Sequence, residues 1–287
     1  MSSESLNIME HIGELKHRLK IAFLSYAGIL AVFLLAPAEP SKALTFTGTY
    51  VPFVAFFLAR VKIDLLPSGW ILMANNISEP LEVYIVASVV LAAVFSSPIF
   101  AYETMRFIAP ALTEKEKGLL YPFVVSSSTL FVVGVLFGYF LLAKFLFIAM
   151  APFIATVQAT PIIDVSNFYF IVFLTVGTSG IAFTSPIYVF MLIRFRVLSP
   201  QTYRKNRVIV WVVVYIATAV ITPDGGPILD IILFAPIIVL LELAVWLGAR
   251  SIKNAAVTDA GAGGVCRYCG AELGGAAFCP KCGKSVS

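Results

Sequence analysis

The chain alternates between long apolar blocks and short polar intervals, and the block lengths define its elements. A hydrocarbon core of about 30 Å needs roughly 20 apolar residues in a helix. Blocks of that order run over residues 21–37, 81–108, 119–151 and 168–195. After the basic cluster Arg204, Lys205, Arg207 come two more, 208–221 and 228–247, separated by Thr222-Pro223-Asp224-Gly225-Gly226-Pro227. A break so rich in Pro and Gly is a tight turn, so the last two blocks predict a helical hairpin. Its first arm measures only about 21 Å at 1.5 Å per residue, which predicts a locally thinned bilayer or a turn held below the outer surface. Residues 51–58 are also apolar, but Arg60, Lys62 and Asp64 follow at once. Charges at that density argue against a crossing. The interval 38–80 therefore predicts short interfacial helices bounded by Pro40, Pro52, Pro67 and Gly69, with a re-entrant or crossing element as the alternative.

Composition strengthens the membrane reading. Of 287 residues 60% are hydrophobic and only 13% charged, with a mean hydropathy of +0.94, which excludes a soluble globular protein. A basic start, an apolar run and Ala36-Pro37-Ala38 follow the order of a secretory signal. The later spans favour an uncleaved first helix instead. The formal net charge is only +4 and the basic residues fall in short clusters between apolar blocks, so they read as topology signals and not as a nucleic-acid surface. Sixteen of the 20 Lys and Arg residues lie before the first block, around 106–117, between 194 and 207, or from 250 onward. Lys42, Arg60, Lys62 and Lys144 make up the other side. The expected fold is an all-α integral membrane protein of six transmembrane helices with both termini in the cytoplasm of a cell-membrane protein.

All four cysteines lie in the tail, as Cys266-Arg-Tyr-Cys269-Gly270 and Cys279-Pro-Lys-Cys282-Gly283. Each CxxC knuckle supplies two thiolates from one tight turn, and four thiolates form the tetrahedral site that zinc favours. A reducing cytoplasm also favours a metal over disulfides. The expected organisation is a membrane domain at 1–254, a flexible linker at 255–264 and a ribbon binding one zinc ion at 265–287, with a redox pair or a disordered tail as the alternative. Gly283-Lys284-Ser285 resembles the end of a phosphate-binding loop, but Phe278 stands where the other glycine is required.

Polar residues within or beside the blocks are few. Glu14 and Arg18 stand at i, i+4 on a helix entering the membrane. Thr113 and Glu116 have the spacing of a capping box. Glu103 and Arg106 are expected to pair at i, i+3, and Lys144 and Asp230 to snorkel from span ends. Glu242 reads as interfacial.

Taken together these segments resemble the core subunit of the twin-arginine protein translocase, the TatC family. The resemblance rests on His11, Glu14-Leu15-Lys16 and Arg18-Leu19, then Ser97-Pro98, Tyr102, Phe107-Ile108-Ala109-Pro110-Ala111-Leu112 and Glu116. Pro122, Ser126 to Ser128, Phe183, Pro186 and Thr222-Pro223-Asp224 follow in the family's order. The resemblance implies a receptor that binds the paired arginines of a folded cargo's signal peptide. It implies Glu14 and Glu116 as the arginine-binding carboxylates, with Lys16 and Pro110 shaping the site. A guanidinium presents a planar fork that a carboxylate accepts in bidentate fashion. It further implies single-span TatA/TatB-type partners, a homo-oligomeric assembly, and transport driven by the proton-motive force, with no catalysis. Two departures stand out: Lys16 replaces the family's usual Arg, and Phe183-Thr184-Ser185-Pro186 replaces Phe-Glu-x-Pro. Thr184, Ser185 and Pro186 are then expected to keep an uncharged contact with a partner helix. A solute or ion transporter, or a membrane-tethered zinc or redox protein, are the alternative functions.

Overall fold

The computed structural model describes residues 2–37, 52–109, 118, 120–158, 160–221, 226–259, 266, 268–271, 279 and 281–283, with backbone alone at 2–12, 221 and 253–259. Among the described residues nine helices and two short strands follow in the order α1 Ser2–Leu35, α2 Phe53–Leu65, β1 Ile71–Met73, α3 Glu79–Ile108, α4 Leu120–Phe137, α5 Lys144–Thr156, β2 Ile162–Asp164, α6 Val165–Arg194, α7 Pro200–Lys205, α8 Arg207–Ile221 and α9 Pro227–Asp259. A π-helical segment, Gly138–Ala143, joins α4 to α5 without a break. Among the described residues five helical stretches are long and apolar enough to cross a membrane: Gly13–Leu35, Glu79–Ile108, Leu120–Thr156, Val165–Arg194 and Pro227–Ile252. The shorter apolar helix Arg207–Val220 corresponds to the first arm of the expected hairpin. Its tight turn at 222–225 lies outside the described residues.

The chain divides into two compact units, residues 1–180 and 181–287. In the first, α1 and α3 run antiparallel. Phe33 packs on Phe95 with centroids 5.3 Å apart, and Phe23 meets Phe100 edge-on at 6.2 Å. The Tyr26 hydroxyl donates to the Val89 carbonyl at 3.2 Å, and that of Tyr84 to Leu34. The expected interfacial helix is α2, which starts after Pro52 and ends before Pro67. At 13 residues it is about 20 Å long, too short to span. Its polar end is held by an Arg60 to Asp64 pair at 3.1 Å and by Tyr139, which donates to Asp64 at 2.9 Å. Val54, Val61 and Leu65 form its buried face.

An all-helical expectation missed one feature. β1 and β2 pair in parallel, with Ile71 opposite Ile162 and Met73 opposite Asp164. The pairing is fixed by a polar knot. Buried Glu79 accepts the backbone N–H groups of Asn75 and Asn76 at 3.0 and 2.8 Å. The Asn75 amide donates to Asp164 at 2.8 Å, and that bond holds the Asp164 carboxyl below the usual carboxylate range. Asp164 in turn accepts from the Ser166 N–H at 2.8 Å, which satisfies one of the free donors at the start of α6.

A close helix approach in this unit uses small residues. A Cβ on Gly138 would lie 3.0 Å from both the Val176 Cα and the Ser179 Cβ. Ser179, fully buried, donates to the Gly134 carbonyl at 2.9 Å. Gly134 and Gly138 stand four apart, so they clear one path along a helix face for α6, the packing that lipid-embedded helices favour.

In the second unit, Ile193, Tyr203, Val245 and Ile252 form a buried cluster, and Gly248 brings α9 against Ile193. Tyr215 and Phe234 meet edge-on at 5.6 Å, which pairs α8 with α9. Glu242 accepts from Trp211 Nε1 at 3.3 Å and faces the Tyr203 hydroxyl at 3.4 Å. Asp230 is buried in the first turn of α9 and does not snorkel. A helix N-terminus favours a carboxylate there, through its free N–H groups and dipole. Lys144 is exposed. α9 also runs to Asp259, into the stretch read as linker, because Ala255, Ala256 and Val257 carry no helix breaker and the first glycine is Gly261.

Candidate functional site

Glu14, Arg18 and Glu103 meet where the first turns of the α1 span face the last turns of α3. The i, i+4 spacing puts Glu14 and Arg18 on one face of α1, and Arg18 Nε lies 3.0 Å from Glu14 Oε1. Nη2 reaches the same oxygen at 2.5 Å. The other edge of the guanidinium is turned to α3, with Nη1 3.5 Å from Glu103 Oε2. Glu103 was expected to pair with Arg106. Arg106 instead lies over the Tyr102 ring, 5.6 Å from its centroid, because residues 102 and 106 share the outward face while 103 faces α1. Glu103 is only 9% exposed, and its Oε2 has no hydrogen-bond partner.

Of the residues expected to recognise arginine, Glu14 is half-buried at this cluster and Lys16 is exposed. Phe107 and Ala109 are half-buried at the end of α3, whereas Pro110, Thr113 and Glu116 lie outside the described residues. Glu103 was not foreseen as part of the group. The register of two antiparallel helices 85 positions apart leaves no signal in a single sequence.

Thr184 and Ser185, next to Pro186, direct their hydroxyls to their own helix. Thr184, 8% exposed, donates to the Ile181 carbonyl at 2.6 Å. Proline lacks an N–H, so Pro186 deprives the Ala182 carbonyl of its usual donor. Ser185 Oγ supplies one at 2.8 Å. The same device recurs in α3, where Pro98 frees the Val94 carbonyl and Ser97 Oγ donates to it at 2.8 Å. Lipid offers no water for such carbonyls, and a neighbouring hydroxyl is the local remedy.

The cysteine tail forms a compact group. All four Sγ atoms lie within 4.8 Å of one another. Cys266 and Cys282 approach to 3.7 Å, and Cys269 and Cys279 to 3.3 Å. A tetrahedron of sulfurs each about 2.3 Å from a central ion has edges of about 3.8 Å, so the cluster has the size of a four-thiolate metal site. Each knuckle closes with a backbone bond, Gly270 N–H to the Cys266 carbonyl at 2.8 Å and Gly283 N–H to the Cys279 carbonyl at 2.9 Å. Both glycines adopt a positive φ, +69° and +71°, which a side chain would strain. The N–H groups of Cys282 and then Lys281 aim at the Cys279 sulfur and bring its pKa down to about 6. The group can bind a metal.

Comparison with known proteins decides what this frame is. Residues 10–236 match the family of the Sec-independent protein translocase protein (TatC). The chain belongs to the TatC family. It is 26% identical to TatC of Aquifex aeolicus over 258 residues, covering 86% of this chain and 96% of that protein. TatCy of Bacillus subtilis is 25% identical over 266 residues, 91% and 95% of the two chains. TatC of Escherichia coli K12 is 31% identical over 163 residues, 56% and 62% of the two. A crystal structure of a twin arginine translocase receptor, TatC, in DDM superposes with a TM-score of 0.69 at 26% identity, covering 83% of this chain and 99% of that one. This TatC family member is a multi-pass membrane protein and a protein-translocase component, not an enzyme. Its cysteine tail lies beyond the family match.

Proposed function

We propose that this chain is the receptor and core scaffold of a twin-arginine translocase. It binds Arg-Arg signal peptides of folded proteins and recruits TatA/TatB-type single-span subunits for export driven by the proton-motive force. It crosses the cell membrane six times with both termini in the cytoplasm, Arg207–Val220 being the short fifth span, and assembles as a homo-oligomer. The observation that carries the reading is the guanidinium cradle: the Glu14 carboxylate already accepts two N–H groups of Arg18 at 3.0 and 2.5 Å. A carboxylate that receives one arginine fork has the geometry to receive another, and a lysine ammonium cannot reproduce that fork. Glu116 adds the second acidic group, and Lys16 and Pro110 border the site. Thr184, Ser185 and Pro186 keep an uncharged contact with a partner span in this reading; Thr184 and Pro186 are buried within the chain, so the contact runs mainly through half-buried Ser185.

The tail binds one zinc ion through Cys266, Cys269, Cys279 and Cys282. The closeness of the four sulfurs supports the reading, since a closed set of four thiolates holds zinc structurally and leaves no open position for chemistry.

In cells of the source organism whose own copy is replaced by Glu14→Gln or Glu116→Gln, export of a folded reporter with an Arg-Arg signal falls by at least about tenfold, equivalent to roughly 1.4 kcal/mol. Membrane levels of the protein stay unchanged. Undiminished export by both variants contradicts the assignment of these carboxylates.

A further inference from the structure

We propose that Arg18 is an internal occupant of the arginine site, held between Glu14 and Glu103, and that an incoming signal peptide displaces it and gains Glu103 as a further carboxylate beside Glu14 and Glu116. The inference rests on the receptor reading above and deepens it. Three observations carry it.

The first is placement. One guanidinium uses its Nε edge and Nη2 on Glu14 and turns Nη1 to Glu103, so two carboxylates from different helices converge on a single arginine. The second is incomplete satisfaction. Glu103 Oε2 is buried without a hydrogen bond, and Nη1 at 3.5 Å is well beyond the roughly 2.7–2.9 Å of a charge-assisted bond. A carboxylate near the end of a membrane span is costly and is normally kept for a function. Here it is loosely held, with acceptor capacity to spare. The third is charge. Glu14 and Glu103 carry two negative charges against one positive charge on Arg18. When Arg18 leaves, both carboxylates are released to the incoming arginines.

Exchange is chemically even-handed. One guanidinium replaces another, so neither carboxylate is left bare during the swap. Arg18 moves out among Lys16, His17 and Lys20, all exposed on the same stretch of α1. The competition also sharpens selectivity: a lysine must displace a fork with a single point charge, whereas an arginine displaces it with its equal. An occupied site lowers the apparent affinity by the fraction of time it is closed, so removing the occupant tightens binding.

The test is titration of a fluorescent Arg-Arg signal peptide, and of its Lys-Lys version, onto the intact chain purified in detergent. Arg18→Gln is expected to bind the Arg-Arg peptide about tenfold more tightly than wild type, as for a site about nine-tenths occupied by its own arginine. Glu103→Gln alone weakens binding, and Glu103→Gln added to Arg18→Gln removes most of the gain. Arg18→Lys, which keeps the charge and loses the fork, falls between wild type and Arg18→Gln and is read if the glutamine variant does not fold. Thermal unfolding of each variant reports whether the helices remain packed. If wild type prefers Arg-Arg but Arg18→Gln and Arg18→Lys bind no more tightly, Arg18 is a clamp between α1 and α3 and the displacement is wrong. If neither wild type nor any variant prefers Arg-Arg over Lys-Lys, the receptor reading fails with it.

Discussion

Gly138→Leu abolishes the stable packing of α6 on the α4 segment, and a protein carrying it unfolds in detergent at least about 10 °C below wild type. The reason lies in what a new side chain meets. Its Cβ alone would stand 3.0 Å from the Val176 Cα and 3.3 Å from the Thr175 carbonyl oxygen. These are backbone atoms that cannot turn aside. The remaining carbons of leucine force the helices apart, which also breaks the bond from Ser179 to the Gly134 carbonyl. In lipid no hydrophobic effect drives helices together, so lost close packing is not recovered elsewhere. Gly180 offers the control. Its added Cβ would meet Val135 Cγ2 at 2.9 Å and the Phe131 ring at 3.0 Å, both side-chain atoms able to shift. Gly180→Ala is therefore expected to lose only a few degrees. A Gly138→Leu protein that melts with wild type would show that this interface does not hold the fold.

With zinc held as proposed, removing the metal is expected to unfold the tail and leave the membrane helices intact. Among its described residues the buried cluster is Cys266 and Cys279, with Ala271 beside them. A structural zinc contributes on the order of 10–16 kcal/mol to such a segment, so its folding and its metal binding are one event. Elemental analysis of the purified protein is expected to give about one zinc per chain and near zero in Cys279→Ser, the two following the closed four-thiolate site. In the variant, protease cleaves beyond residue 259 while the thermal midpoint of the membrane part is unchanged. A zinc-free protein whose four thiols all react freely would contradict the site.

Much of this molecule was legible because a bilayer imposes simple rules on sequence. Apolar blocks long enough to span gave the long helices, and α2 runs between Pro52 and Pro67, with Arg60, Lys62 and Asp64 inside it. The i, i+4 spacing gave the Glu14 to Arg18 pair, and the two CxxC knuckles gave the sulfur cluster. What escaped depends on packing between distant segments. β1 and β2 have three residues each, too few for an alternating pattern, and their pairing depends on Glu79 and Asp164, which are 85 positions apart. Glu103 looked like a partner for Arg106 because they are neighbours on one helix, whereas the rotation of α3 aims it at Arg18. The π-helical segment at Gly138–Ala143 has no composition of its own beyond a glycine where α6 comes close. Ser97-Pro98 and Ser185-Pro186 were readable as pairs, and only the structure shows that each serine serves the carbonyl its proline orphans.

The central claim is that this chain reads paired arginines. Its most direct test is the equilibrium affinity of the purified wild-type protein for an Arg-Arg signal peptide against the same peptide with Lys-Lys. A carboxylate fork site predicts binding at least about tenfold tighter for Arg-Arg, a difference of roughly 1.4 kcal/mol, and a preference that shrinks in Glu14→Gln and Glu116→Gln. Equal affinity for both peptides, unchanged by either substitution, would contradict it.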